Sequence, residues 1–125
     1  MLLTLKNRPD FLKAARAKRQ ATAGFILQAR KRDESDAAVN SEDIRIGYTC
    51  SKKVGNAVLR NRAKRRLREV ARSGLTSGGL PGWDYVLIGR QGATTTRTFA
   101  ALQEDLAFAL RKLHAPKPNS SAGLS

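Results

Sequence analysis

The stretch Ile44-Arg-Ile-Gly-Tyr-Thr-Cys50, Ser51-Lys-Lys-Val-Gly-Asn56, Ala57-Val-Leu-Arg-Asn-Arg-Ala-Lys-Arg-Arg-Leu-Arg-Glu-Val-Ala-Arg-Ser73 switches its hydrophobic period midway, from that of a strand to that of a helix. Ile44, Ile46, Tyr48 and Cys50 alternate with Arg45, Gly47 and Thr49, so residues 44–50 are predicted to be a strand with one face in the core. Cys50 falls on that inward set and reads as a small buried hydrophobe, because no neighbouring histidine activates it. From Ala57 to Ser73 the residues Leu59, Ala63, Leu67, Val70 and Ala71 share one side of a helix, with Asn56 suited to the N-cap and Gly74 to the position just past the end. Asp84-Tyr-Val-Leu-Ile-Gly-Arg90 follows, a nearly continuous apolar run of the kind found in strands covered on both faces.

Outward from this unit, Phe25 to Lys31 is rich in large apolar side chains and reads as a strand, preceded by a short extended piece at Gln20 to Ala23. Asn7, Pro9 and Asp10 mark the start of a helix running from about Pro9 to Ala17. Thr96 to Leu113 is an amphipathic helix whose Phe99, Leu102, Leu106, Leu110 and Leu113 point to the core. Arg32 to Asp43 holds Asp33, Glu34, Asp36, Glu42 and Asp43 among small polar residues, as expected of a solvated hairpin loop. Residues 114–125, with two prolines and several Ser, Asn and Gly, are expected to form a disordered tail behind a domain of residues 1–113. The order α, β, β, α, β, α describes an α+β sandwich, with helices on one side of an antiparallel-to-mixed sheet.

The 125 residues carry 24 Lys and Arg against 10 Asp and Glu, a net charge of +14. That length suffices for one domain with a core of its own. The longest uninterrupted apolar run, Leu106 to Leu110, is too short for a membrane span or a signal peptide, so a cytoplasmic protein without a membrane partner is expected. One cysteine excludes an internal disulfide, and one histidine with it excludes a zinc finger. The acidic residues Asp33, Glu34 and Asp36 lie in a segment too loop-like to place two metal ions rigidly, so neither a metal site nor a catalytic residue is assigned to the chain.

The charge is concentrated. Between Lys52 and Arg72 nine cations face a single Glu69. Opposite the apolar arc of the helix stand Asn61, Lys64, Arg65, Arg68 and Arg72, with Arg60, Arg62 and Arg66 along its edges. Arg60 and Lys64, Lys64 and Arg68, and Arg68 and Arg72 are like-charged neighbours one turn apart, a repulsion that an ordinary solvated helix avoids. The pattern points to a polyanion. The apolar face lacks the bulky residues that enter lipid, and the helix lies between strands rather than in a helix-turn-helix, which favours structured RNA over membrane or DNA.

The string Ser51-Lys-Lys-Val-Gly-Asn-Ala-Val-Leu-Arg-Asn-Arg-Ala-Lys-Arg-Arg-Leu-Arg-Glu69 closely resembles the signature of the bacterial ribonuclease P protein family, and the likeness extends from about Leu5 to the last helix. The resemblance implies an α+β sandwich with a four-stranded sheet, three helices and a left-handed βαβ crossover, ribosomal protein S5 domain 2-like. A left-handed crossover departs from the general rule for such units. It implies a subunit of an endoribonuclease whose catalytic centre, with Mg²⁺, lies on a catalytic RNA, in a 1:1 protein–RNA complex that removes the 5′ leader from precursor tRNA. Arg60, Asn61, Arg62, Lys64, Arg65 and Arg68 match the family's RNA-contacting motif, Lys52 and Lys53 its basic approach, and Arg72 continues the same face. Phe11 and Phe25 match apolar positions associated with the leader cleft, whereas Ala15 and Gln28 stand where further aromatic residues are expected. The alternative is a ribosomal or RNA-assembly protein without a nuclease role.

Overall fold

A computed structural model describes residues 2–33 and 42–115. Glu34, Asp36 and the tail from Pro116 onward lie outside the described residues. The elements are β1 (Leu2–Thr4), α1 (Arg8–Ala15), β2 (Lys18–Ala21), β3 (Phe25–Lys31), β4 (Ile44–Thr49), α2 (Ala57–Gly78), β5 (Trp83–Gly89), a single turn α3 (Ala93–Thr96) and α4 (Phe99–His114). They build one mixed sheet of order β1-β4-β5-β3-β2, so the α+β class is as expected while the sheet has five strands rather than four.

The apolar run of β5 occupies the centre of the sheet. It pairs antiparallel with β3, from Phe25 opposite Gly89 to Lys31 opposite Trp83, and parallel with β4, from Arg45 opposite Asp84 to Thr49 opposite Ile88. The β4–α2–β5 unit is therefore a crossover between neighbouring parallel strands. The expected hairpin between β3 and β4 is not formed: β5 lies between them, and the acidic segment joins strands that never touch. The true hairpin is β2–β3, closed where the Thr22 N–H and hydroxyl donate to the Phe25 carbonyl at 2.9 and 2.6 Å.

Alternation along β5 divides the core between two sheet faces. Tyr85 and Leu87 join Phe25, Leu27, Ala29, Ile44 and Ile46 beneath α2 and α4, which contribute Leu67, Val70, Leu75, Leu102, Leu106 and Leu110. Val86 and Ile88 turn the other way and pack with Leu5, Phe11 and Ala14 of the α1 side. The helices thus cover both faces, correcting the one-sided arrangement. β3 and β5 have apolar residues at consecutive positions because both are clamped between layers.

Local signals set most boundaries, and packing overrides a few. Asn56 Oδ1 accepts the Leu59 N–H at 3.0 Å, the expected N-cap of α2. The helix runs past Gly74 to Gly78 because Leu106 packs where a Gly74 side chain would stand, 2.3 Å from an ideal Cβ, while Leu75 is fully buried. Here the glycine serves close helix approach, not termination. Thr98 caps α4 by accepting the Ala101 N–H at 3.1 Å, so the helix starts at Phe99 and α3 stays separate. Phe99 faces solvent instead of the core. His114 belongs to the domain: its Nε2 and the Tyr85 hydroxyl share a hydrogen bond of 2.9 Å, and its ring meets Trp83 edge-on at 4.5 Å.

On the α1 side, buried Asp84 binds three arginines. Arg45 donates from Nε and Nη2 at 2.8 and 2.6 Å, Arg32 from Nη1 at 2.8 Å, and Arg30 Nη1 stands 3.6 Å away. Arg45 also reaches Asp10 of α1 at 3.3 Å. Removing one partner of such a buried group leaves charge unpaired. Asp84→Asn is expected to destabilise the domain by about 3–5 kcal/mol, read as a lowered urea midpoint.

Burial and Lys18 hold the His114 imidazole below its ordinary value, while burial pushes the Tyr85 hydroxyl up to about 12. The unfolded chain protonates His114 more readily than the fold does, so this site costs stability as pH falls through about 6.5 toward the lower folded value. The urea midpoint is expected to fall between pH 7.5 and 5.5, and less steeply in His114→Asn.

Candidate nucleic-acid interface

The basic surface begins at the turn between β4 and α2. Ser51 Oγ accepts the Lys53 N–H at 3.3 Å, closing a 3₁₀ turn at Lys52–Val54, and Gly55 adopts φ 145°, a value that suits glycine. The turn leaves Lys52 and Lys53 exposed at the start of α2. Ala63, Leu67, Val70, Ala71 and Leu75 anchor the helix to the core. That anchoring presents Asn61, Arg62, Arg65, Arg68 and Arg72 to solvent, with Arg60 and Lys64 half-exposed. All nine expected RNA-binding residues therefore occupy one helix and its approach. Among the described residues no carboxylate forms an ion pair with any of the eight cations in that set. Arg66 turns inward, where its Nη2 donates to the Arg97 carbonyl.

Beside α2 lies a recess of about 430 Å³. Lys6, Arg8 and Phe11 line it from α1 and its approach, Tyr48, Thr49 and Cys50 from the end of β4, and Lys64 from α2. Cations from both α1 and α2 thus converge on one aromatic-bearing cleft. Gly47 helps set its shape, because an ideal Cβ there would lie 2.6 Å from the Phe11 ring. Past Phe11, the sheet floor continues along the register row Ile26, Ile88 and Thr49. Burial pushes the Cys50 thiol up, against the opposing pull of Lys64 and a Gly89 backbone hydrogen bond, which keeps it protonated and unsuited to nucleophilic chemistry. Cys50 is half-buried, packing on the core from one side and lining the cleft from the other.

Phe11 and Phe25 do not come together. Phe25 is fully buried under α2 and α4, on the sheet face opposite Phe11, so its ring is core and cannot take a base. Ala15 is exposed on α1, and Gln28 is buried on the α1 face of the sheet. Sequence reasoning missed Tyr48 as a surface group: the Arg68 guanidinium carbon stands 5.6 Å from its ring centroid. Its place on the alternating inward set concealed this.

A larger recess of about 530 Å³ lies between α2 and α4, lined by residues such as Gly74, Gly78 and Leu110, and none of the nine basic-face residues reaches it. The described residues contain no group of three His, Cys, Asp or Glu able to hold a metal ion. No helix among them is long and apolar enough to cross a membrane.

An unpaired arginine-rich helix beside a cationic cleft with exposed aromatic character defines an RNA-binding α+β protein. The ribonuclease P family model matches residues 2–114, and the chain belongs to that family. It is 64% identical over 114 residues to the ribonuclease P protein component of Ruegeria pomeroyi, covering 91% of this chain and 88% of that one. It is 53% identical over 109 residues to that of Gluconacetobacter diazotrophicus, covering 86% and 88%. The RNase P protein of Staphylococcus aureus superposes with a TM-score of 0.69 at 28% identity, over 89% of this chain and 94% of that one. The RNase P protein of Thermotoga maritima shares the fold, with a TM-score of 0.68 at 24% identity over 86% and 94% of the two chains. The chain is accordingly the tRNA-processing protein component of an endoribonuclease.

Filling the space above Gly47 displaces the ring that walls the cleft. Gly47→Ala is expected to destabilise the domain by about 1–3 kcal/mol through overpacking and to alter near-ultraviolet signals from the cleft, as checked by denaturation and circular dichroism.

Proposed function

We propose that α2 docks on the catalytic RNA through Lys52, Lys53, Arg60, Asn61, Arg62, Lys64, Arg65, Arg68 and Arg72, while the adjoining cleft guides the 5′ leader of precursor tRNA. The observation that carries this reading is the convergence of Lys6 and Arg8 with Lys64 across Phe11, which joins the helix surface to the cleft. Arginine forks match phosphate oxygens in pairs, and the exposed N-terminus of α2 adds a favourable dipole for anions. Within the cleft an unpaired strand would lay its phosphates along the cations and a base against Phe11, at roughly 1–3 kcal/mol per stacked base. Ala15 supplies no second aromatic surface from α1, so fewer bases stack than an aromatic residue there would allow.

Mg²⁺ would be held by the RNA and its substrate. The cleft offers lysine and arginine, which repel a divalent cation, whereas phosphate oxygens are suitable hard ligands. The protein's contribution is to screen phosphate repulsion between the two RNAs, so that they approach at lower Mg²⁺. A 1:1 complex follows from a single basic helix face, and the site of action would be the cytoplasm, without a membrane partner.

The test is cleavage of a precursor tRNA with a 5′ leader at low Mg²⁺ by the protein alone, by a bacterial ribonuclease P RNA alone, and by the two together. Stimulation by the pair, with no cleavage by the protein alone, is expected; cleavage by the protein alone would overturn the reading. Arg65→Ala is expected to weaken RNA binding and reduce the slope of log affinity against log salt by about 1 or less, because fewer counterions are released.

A further inference from the structure

Arg68 occupies the middle of a cationic row. Lys64 and Arg72 lie one turn away on either side, and neither offers it a hydrogen-bond acceptor. Arg68 has no carboxylate partner among the described residues. A long side chain between two like charges would spread over many rotamers, and that freedom would be lost on meeting a phosphate. The structure supplies a restraint from another element. Tyr48 of β4, half-buried against the main core, presents its ring 5.6 Å from the Arg68 guanidinium carbon.

Tyr48 is available for this contact because β1 is short. Its pairing with β4 ends at Thr4 opposite Ile46, so two residues further on the sheet edge is open toward α2. Tyr48 then forms the partition between two recesses. The cleft with Phe11 and Lys64 lies on one side, and a smaller recess of about 180 Å³ bounded by Thr4, Arg68 and Arg72 lies on the other. A guanidinium held over an aromatic face keeps its N–H groups directed outward in its own plane, free for phosphate oxygens.

We infer that Tyr48 is a positioning residue for RNA binding: its ring holds the Arg68 guanidinium extended between Lys64 and Arg72, so that the fork meets a phosphate already ordered. This rests on the reading of α2 as the surface that binds the catalytic RNA. Tyr48 itself makes no contact with the catalytic RNA in this account, and its effect on that binding passes through Arg68.

The experiment is a double-mutant cycle with the full chain and a bacterial ribonuclease P RNA, affinity being measured by filter binding at one fixed salt concentration. Tyr48→Leu is expected to weaken binding about two- to fivefold, the size of an exposed cation–π contact, and Tyr48→Phe to retain wild-type affinity. In the Arg68→Ala background, Tyr48→Leu is expected to cause no further loss. Equal loss in both backgrounds would show that Tyr48 acts through the fold or by its own contact and would overturn the inference, as would no loss in the wild-type background. Thermal melts confirm that each variant is folded, and Tyr48→Met provides a second non-aromatic variant for the same cycle. Should Arg65→Ala and Arg68→Ala both leave affinity unchanged, the α2 reading itself fails, an outcome separate from that of Tyr48.

Discussion

Asp84 gathers the cations of a chain that is otherwise in electrostatic surplus. Its carboxylate is fully buried on the central strand, and the guanidinium groups of Arg30, Arg32 and Arg45 close on it from β3, the segment after β3, and β4. Arg45 passes the contact on to Asp10, tying α1 to the same network. α1, β3, β4 and β5 are therefore fixed relative to one negative charge, while α2 is held beside them through the core. Burying so many ions is unfavourable unless their hydrogen bonds are well satisfied, and here both carboxylate oxygens accept short bonds.

This arrangement separates the positive charges into two populations. Those around Asp84 are paired and serve the fold, whereas those on the outer face of α2 lack carboxylate partners among the described residues and remain available to phosphate. Arg66 shows the division within a single helix: it is flanked in sequence by Arg65 and Leu67, yet it points to the Arg97 carbonyl and braces α2 against the chain leading into α4. Net charge by itself conveys nothing about this division; the helical rotation and the placement of the few carboxylates determine it.

The α2 face was legible because helical periodicity is local, and an arc of Ala63, Leu67, Val70 and Ala71 can be buried in only one orientation. The continuous apolar run of β5 likewise announced a strand enclosed on both sides. Long-range pairing was not legible. Three residues of β1 gain their strand character from β4, more than forty residues away, and no local pattern records that partner. Successive strands usually pair, so β3 and β4 suggested a hairpin until β5 was found between them. The two phenylalanines share a chemical type and differ in sheet face, a distinction that depends on register. Gly74 broke a local rule because the approach of Leu106 outweighed the cost of glycine inside a helix.

The central position of β5 also governs the order in which the molecule can assemble. The strand that both halves of the sheet require is the last strand in chain order: until it has left the ribosome, β2–β3 on one side and β1–β4 on the other have no strand to join them. Neither fragment can join the other until Trp83–Gly89 arrives, and Arg30, Arg32 and Arg45 have no Asp84 to meet before then. The nascent chain is thus a more open polycation than the finished domain, and a single late segment converts it, bringing sheet closure and internal charge neutralisation in the same step.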